Sequence, residues 1–100
     1  MIDITDEIAG RLNASGLQQG LCHVYVPHTT AGVLINEGAD PSVMQDLQET
    51  LDRLVPWNGP YRHGEGNAAA HVKTTLVGES VTVLVEGGRL QLGTWQAIFF

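Results

Sequence analysis

Two of the four histidines in this chain, His63 and His71, fall in one short stretch, Tyr61-Arg62-His63-Gly64-Glu65-Gly66-Asn67-Ala68-Ala69-Ala70-His71. Imidazole is the commonest protein ligand for transition metals, and the only side chain whose unperturbed charge change falls near neutral pH. Gly64 and Gly66 loosen the segment that carries His63, and Asn67 is a residue type that caps helices. A loop histidine and a helix histidine brought together in this way can share a metal ion or a proton. The plainer alternative is a pair of ordinary polar residues. Taken alone, the pair does not decide between the two.

Three other polar clusters interrupt an otherwise apolar sequence: His28-Thr29-Thr30, Asn36-Glu37-Gly38-Ala39-Asp40 and Gly93-Thr94-Trp95-Gln96. Each has a structural alternative. A histidine after Pro27 can simply hydrogen-bond a bulged backbone, and Asp40 before Pro41 is a helix cap. Glu37 is harder to dismiss, because a carboxylate ending an apolar strand needs solvent or a partner. There is no GxGxxG, P-loop or HExxH, and no GxSxG. What remains is a His/Glu/Asp/Asn set suited to a divalent metal or to acid–base chemistry.

The elements that must position these residues are legible from periodicity. Ile4, Ile8 and Leu12 repeat every four residues behind a Thr5 cap, with Gly16 as the stop, which predicts a first helix. Leu21 to Val26 alternates as a strand, with Cys22, Val24 and Val26 on one face, and Ala31 to Asn36 reads as a second strand after the Pro27–Thr30 bend. Asp40-Pro41 opens a helix whose apolar face (Val43, Leu47, Leu51, Leu54) runs to Pro56. An irregular loop follows to Gly66. Asn67 then caps a short helix reaching about Leu76, with Gly78 ending it. Val81, Val83 and Val85 mark a strand, Gly87-Gly88 a hairpin turn, and Thr94 to Phe100 a last strand. The order predicts one α+β domain over residues 1–100: a compact, mainly antiparallel sheet or sandwich with two to three short helices.

Composition narrows the function classes. The 43% hydrophobic and 16% charged content belongs to a globular chain. A net charge of -6 argues against non-specific nucleic-acid binding, which needs a clustered basic face. The single Cys22 excludes an internal disulfide. No apolar run approaches the length of a membrane span, and the acidic start is unlike a signal peptide, so a cytoplasmic location without a membrane partner is expected.

Taken in order, His28-Thr29-Thr30, Asn36-Glu37, Asp40-Pro41, Asp46, Tyr61-x-His63, Asn67-x3-His71, Gly78-x-Ser80 and Leu92-Gly93-Thr94-Trp95-Gln96 closely resemble the YjbQ-like family, whose members are often named secondary thiamine-phosphate synthases. The resemblance implies a sandwich-like α+β fold assembling as a homotrimer, with polar sites near subunit contacts. It implies a divalent metal, zinc or magnesium, bound by histidines. It also implies a weak activity joining a hydroxymethylpyrimidine diphosphate to a thiazole phosphate. On matching positions, His63 and His71 would be metal ligands or an acid–base pair, His28 and Glu37 would complete or face the same site, and Glu37 would be a third ligand or base. Thr29, Asn67, Trp95 and Gln96 would contact or orient the ligand. The chain departs from the family pattern in lacking its first and last strands and an Asp-Gly-Pro-Arg-like ending. Only Arg11, Arg53, Arg62, Lys73 and Arg89 remain to meet phosphates. A second expectation is therefore a metal- or small-ligand-binding protein whose synthase activity is incidental.

Overall fold

The valines of the Val81–Val85 run line one face of the strand around which the molecule is organised. In the computed structural model, which describes residues 1–100, the elements run α1 (Thr5–Ser15), β1 (Gln19–Tyr25), β2 (Leu34–Glu37), α2 (Pro41–Leu54), α3 (Ala68–Val77), β3 (Ser80–Glu86), β4 (Arg89–Leu90) and β5 (Gln96–Phe99). β3 lies between β1 and β4, antiparallel to both, with Leu84 opposite Leu21 and Thr82 opposite His23. Gly87 and Gly88, at φ 59° and 73°, make the two-residue turn that this hairpin requires. β2 and β5 form a second antiparallel pair, with Glu37 opposite Gln96. The start of the chain joins it, since Ile2 and Phe100 exchange backbone hydrogen bonds of 2.7 and 2.8 Å. No helix is long and apolar enough to cross a membrane.

The two sheets close on Val33, Val83 and Ile98, with Ile8, Val24 and Leu92 packed around them. β5 is buried on both faces. Ile98 enters that core, whereas Ala97 and Phe99 meet Met44 and Leu47 of α2, as strand alternation requires. The expected α+β architecture with antiparallel pairing is what the chain adopts, with three helices.

Local details differ from the sequence reading where a side chain found a better partner. Thr5 does not cap α1. Asp3 does so in effect, its Oδ1 accepting from the Thr5 amide at 2.9 Å and the Thr5 hydroxyl at 2.6 Å. The Thr5 oxygen is thereby left to accept from the Ile98 amide at 2.9 Å, which ties the helix to β5. The second strand starts at Leu34, not Ala31, because Val33 donates its amide to the Gly78 carbonyl instead of to a strand. A Cβ on Gly32 would sit 2.6 Å from that same carbonyl, so only glycine permits the approach. The last strand is likewise confined to Gln96–Phe99.

Candidate metal centre

α3 begins in small residues, and that lets its first turn go inside. Ala68 and Ala69 are buried, and His71 follows one turn after Asn67. His63, on the preceding loop, meets His71 edge-on: the ring centres are 5.1 Å apart and the planes stand at 86°. Two imidazoles on one tetrahedral zinc, each with a metal–nitrogen bond of about 2.1 Å, have ring centres roughly 5 Å apart. The separation is compatible with shared ligation, and equally with an edge-to-face contact of the two rings. Imidazole pairs suit zinc and its neighbours, whereas magnesium prefers oxygen.

Asn67 sits at the N-terminus of α3 but makes no side-chain capping bond, contrary to the expectation. Its Oδ1 is buried and has no hydrogen-bond partner. Such an orphan acceptor carries a desolvation cost, and it lies at the start of the helix that presents His71. It fits a polar ligand or a coordinated group in the same place. The residues present thus fit part of a metal site.

They do not complete one. No third His, Cys, Asp or Glu converges with His63 and His71 into a metal-holding group within the chain. Glu37 is engaged elsewhere, with Oε2 accepting from the Ala39 amide at 2.7 Å and the Asp40 amide at 3.4 Å. Its neighbours there are Gln96, paired with it across β2 and β5, and Trp95, whose carbonyl accepts from Gly38 at 2.8 Å. Gln96 folds back so that Oε1 accepts from the Gly93 amide at 2.8 Å, and the Trp95 ring is exposed. The carboxylate beside His63 is Glu65, 3.7 Å from its Nε2. The sequence reading passed over it, although its two-residue spacing from His63 across Gly64 was the available signal.

His28, Thr29 and Thr30 form a third group, in the bend between β1 and β2. The bend is stitched to the end of α3 and the start of β3 through Val26 to Glu79 (2.8 Å) and Val33 to Gly78 (3.1 Å). Asp40 caps α2 as expected: Oδ1 accepts from the Ser42 amide at 3.0 Å and its hydroxyl at 2.7 Å. Those two donors, the hydroxyl first, hold its carboxyl below the ordinary 3.8. A further groove of about 270 Å³ lies between α2, α3 and the end of β5, lined by Leu51, Trp57, Phe99 and the Lys73–Asp52 ion pair. Neither His63 nor His71 lines it. The candidate residues therefore fall into three groups: His63, His71 and Asn67; Glu37, Trp95 and Gln96; and His28 with Thr29.

Over residues 1–100 the chain matches the family model described as UPF0047 protein YjbQ-like. It is 52% identical over 101 residues to the UPF0047 protein YugU of Bacillus subtilis, covering 100% of this chain and 76% of that one. To the UPF0047 protein MJ1081 of Methanocaldococcus jannaschii it is 48% identical over 100 residues, covering 100% and 72%. Among solved structures, a YjbQ/UPF0047 family protein from Clostridium acetobutylicum superposes with a TM-score of 0.94 at 47% identity, over 97% of this chain and 75% of that one. The hypothetical protein APE1520 from Aeropyrum pernix gives 0.91 at 44% identity, over 97% and 73%.

Proposed function

Because the chain belongs to the UPF0047 protein YjbQ-like family, we propose that it uses a divalent metal held by His63 and His71 to join a hydroxymethylpyrimidine diphosphate to a thiazole phosphate, as a weak thiamine-phosphate synthase. The observation that carries this reading is the 5.1 Å separation of the two rings. Bound there, a divalent ion would neutralise charge developing on the departing diphosphate. The chain's own part is placement: His63 and His71 would hold the ion that meets the anionic end of the substrate, and the unpartnered Asn67 Oδ1 offers an acceptor for an N–H or O–H donor at the start of α3. The remaining requirement is to hold the thiazole nitrogen against the pyrimidine methylene, an orientation effect.

We propose assembly as a homotrimer through an apolar sheet face. The outer face of the β1–β3 sheet exposes Leu21 (63%), Tyr25 (60%) and Leu84 (65%). Leu84→Glu is expected to dissociate the trimer on a sizing column with light scattering. An unchanged trimer mass would remove this face from the interface.

A second reading, a metal- or ligand-binding protein with incidental synthase activity, is favoured by the state of the cations. Residues 1–100 carry five Lys and Arg against eleven Asp and Glu, and Lys73 is already paired with Asp52. Incubation with both substrates and zinc, followed by chromatographic detection of thiamine phosphate, separates the readings. Product lost in His71→Ala supports the synthase. Zinc binding without product supports the second reading.

A further inference from the structure

The bend that carries His28 fixes which of its ring nitrogens holds the proton. Pro27 turns the chain so that the His28 amide donates to the Val26 carbonyl at 2.9 Å. Two residues on, the Thr30 amide donates to His28 Nδ1 at 3.1 Å, and the Thr30 hydroxyl lies 2.9 Å from the same atom. A backbone amide can only donate. Nδ1 must therefore present its lone pair, and the one proton of the neutral ring sits on Nε2. The hydroxyl, which can play either role, donates as well. Nε2 has no partner within the chain, and the residue is exposed.

Metal-ligating histidines have the opposite arrangement. They bind the ion through one nitrogen and donate the other N–H to a carboxylate, carbonyl or water. His28 accepts where such a ligand would donate. His23 makes the contrast plain: its Nδ1 faces only the Thr82 hydroxyl at 2.7 Å, which leaves its tautomer open.

We infer that His28 is a fixed Nε2–H donor to an oxyanion, a phosphoryl oxygen of the substrate, and not a ligand to the metal that His63 and His71 hold. The choice of a phosphoryl oxygen rests on the phosphorylated substrate proposed above, whereas the tautomer rests on the bend alone. The backbone bonds to Glu79 and Gly78 keep the donor in place without substrate. The resemblance has His28 completing or facing the metal site; its Nε2–H tautomer makes it a hydrogen-bond donor to a ligand, not a ligand to the ion.

Long-range ¹H–¹⁵N correlation spectra of the full chain, labelled at histidine, read each ring nitrogen directly. At a pH where the rings are neutral, His28 Nδ1 is expected to be unprotonated and Nε2 protonated, in the wild type and in Thr30→Val, which keeps the amide. Inorganic pyrophosphate should shift Nε2 of His28, and zinc should shift only His63 and His71. His28→Ala should weaken pyrophosphate binding about tenfold or more, the loss of one hydrogen bond to a charged group. His28→Gln, whose amide can donate from the same place, should recover part of that loss, and zinc affinity should not change. A protonated Nδ1, a zinc-induced shift of His28, or an Nε2 unmoved by pyrophosphate would each overturn the inference. A pyrophosphate shift without any thiamine phosphate formed supports it while the synthase reading fails.

Discussion

Replacing Asn67 by alanine separates two opposed accounts of the start of α3. As a capping residue, Asn67 would lose about 0.5–2 kcal/mol on conversion to alanine. It makes no capping bond, however, and its Oδ1 is buried without a partner. An unsatisfied buried polar group costs about 1–3 kcal/mol, and the substitution removes that cost. Against this stands the loss of a few side-chain contacts next to the buried Ala68 and Ala69, of about 1 kcal/mol. Asn67→Ala should therefore be neutral to about 2 kcal/mol more stable than the wild type in chelator-treated protein. Urea unfolding followed by far-UV circular dichroism measures this, with the slope unchanged. If the amide serves a bound ligand, the sign reverses when zinc is added. Destabilisation of 1 kcal/mol or more in metal-free protein would refute the reasoning, because it would mean that Asn67 caps the helix after all.

Two further outcomes follow from the packing and the charges. Ile98→Ala, at a side chain with 0% exposure between the two sheets, should lower stability by about 2–5 kcal/mol in the same assay; a loss under 1 kcal/mol would mean that this core is loosely packed. The Asp40 carboxyl is held below 3.8 by Ser42, so its stabilising contribution is present above the unfolded value and is lost as pH falls through the lowered folded one. Acid unfolding monitored below about pH 4 should accordingly be shallower in Asp40→Asn than in the wild type.

Much of the fold was legible because local signals agreed with tertiary demands. Asp40-Pro41 opens α2 and Gly87-Gly88 turns the hairpin, since each motif satisfies its backbone without outside help. Thr5 and Asn67 misled for the same reason in reverse. Capping types are read from sequence, but one found the Ile98 amide and the other turned inward. The second strand began late because Gly32 lies against the Gly78 carbonyl, a contact across 46 residues that no local pattern announces.

The site was partly legible. His63 and His71 do meet, as their spacing around Asn67 implied. Glu37 has the chemistry of a ligand, but at the end of β2 its Oε2 accepts from the Ala39 and Asp40 amides within the chain. Which nitrogen of His28 carries the proton depends on Thr30 folding back over the ring, and residue types alone do not contain that.

We propose that His63 and His71 share one metal ion. Zinc titration of metal-free protein by calorimetry, with the thermal midpoint recorded alongside, tests it most directly. Wild-type protein should take up zinc and gain about 2.7 kcal/mol at 100 times the Kd. His63→Ala and His71→Ala should each lose most of that affinity while keeping the wild-type circular dichroism spectrum. Undiminished zinc binding in the double variant, or a wild type that neither binds zinc nor shifts its midpoint, would contradict the account.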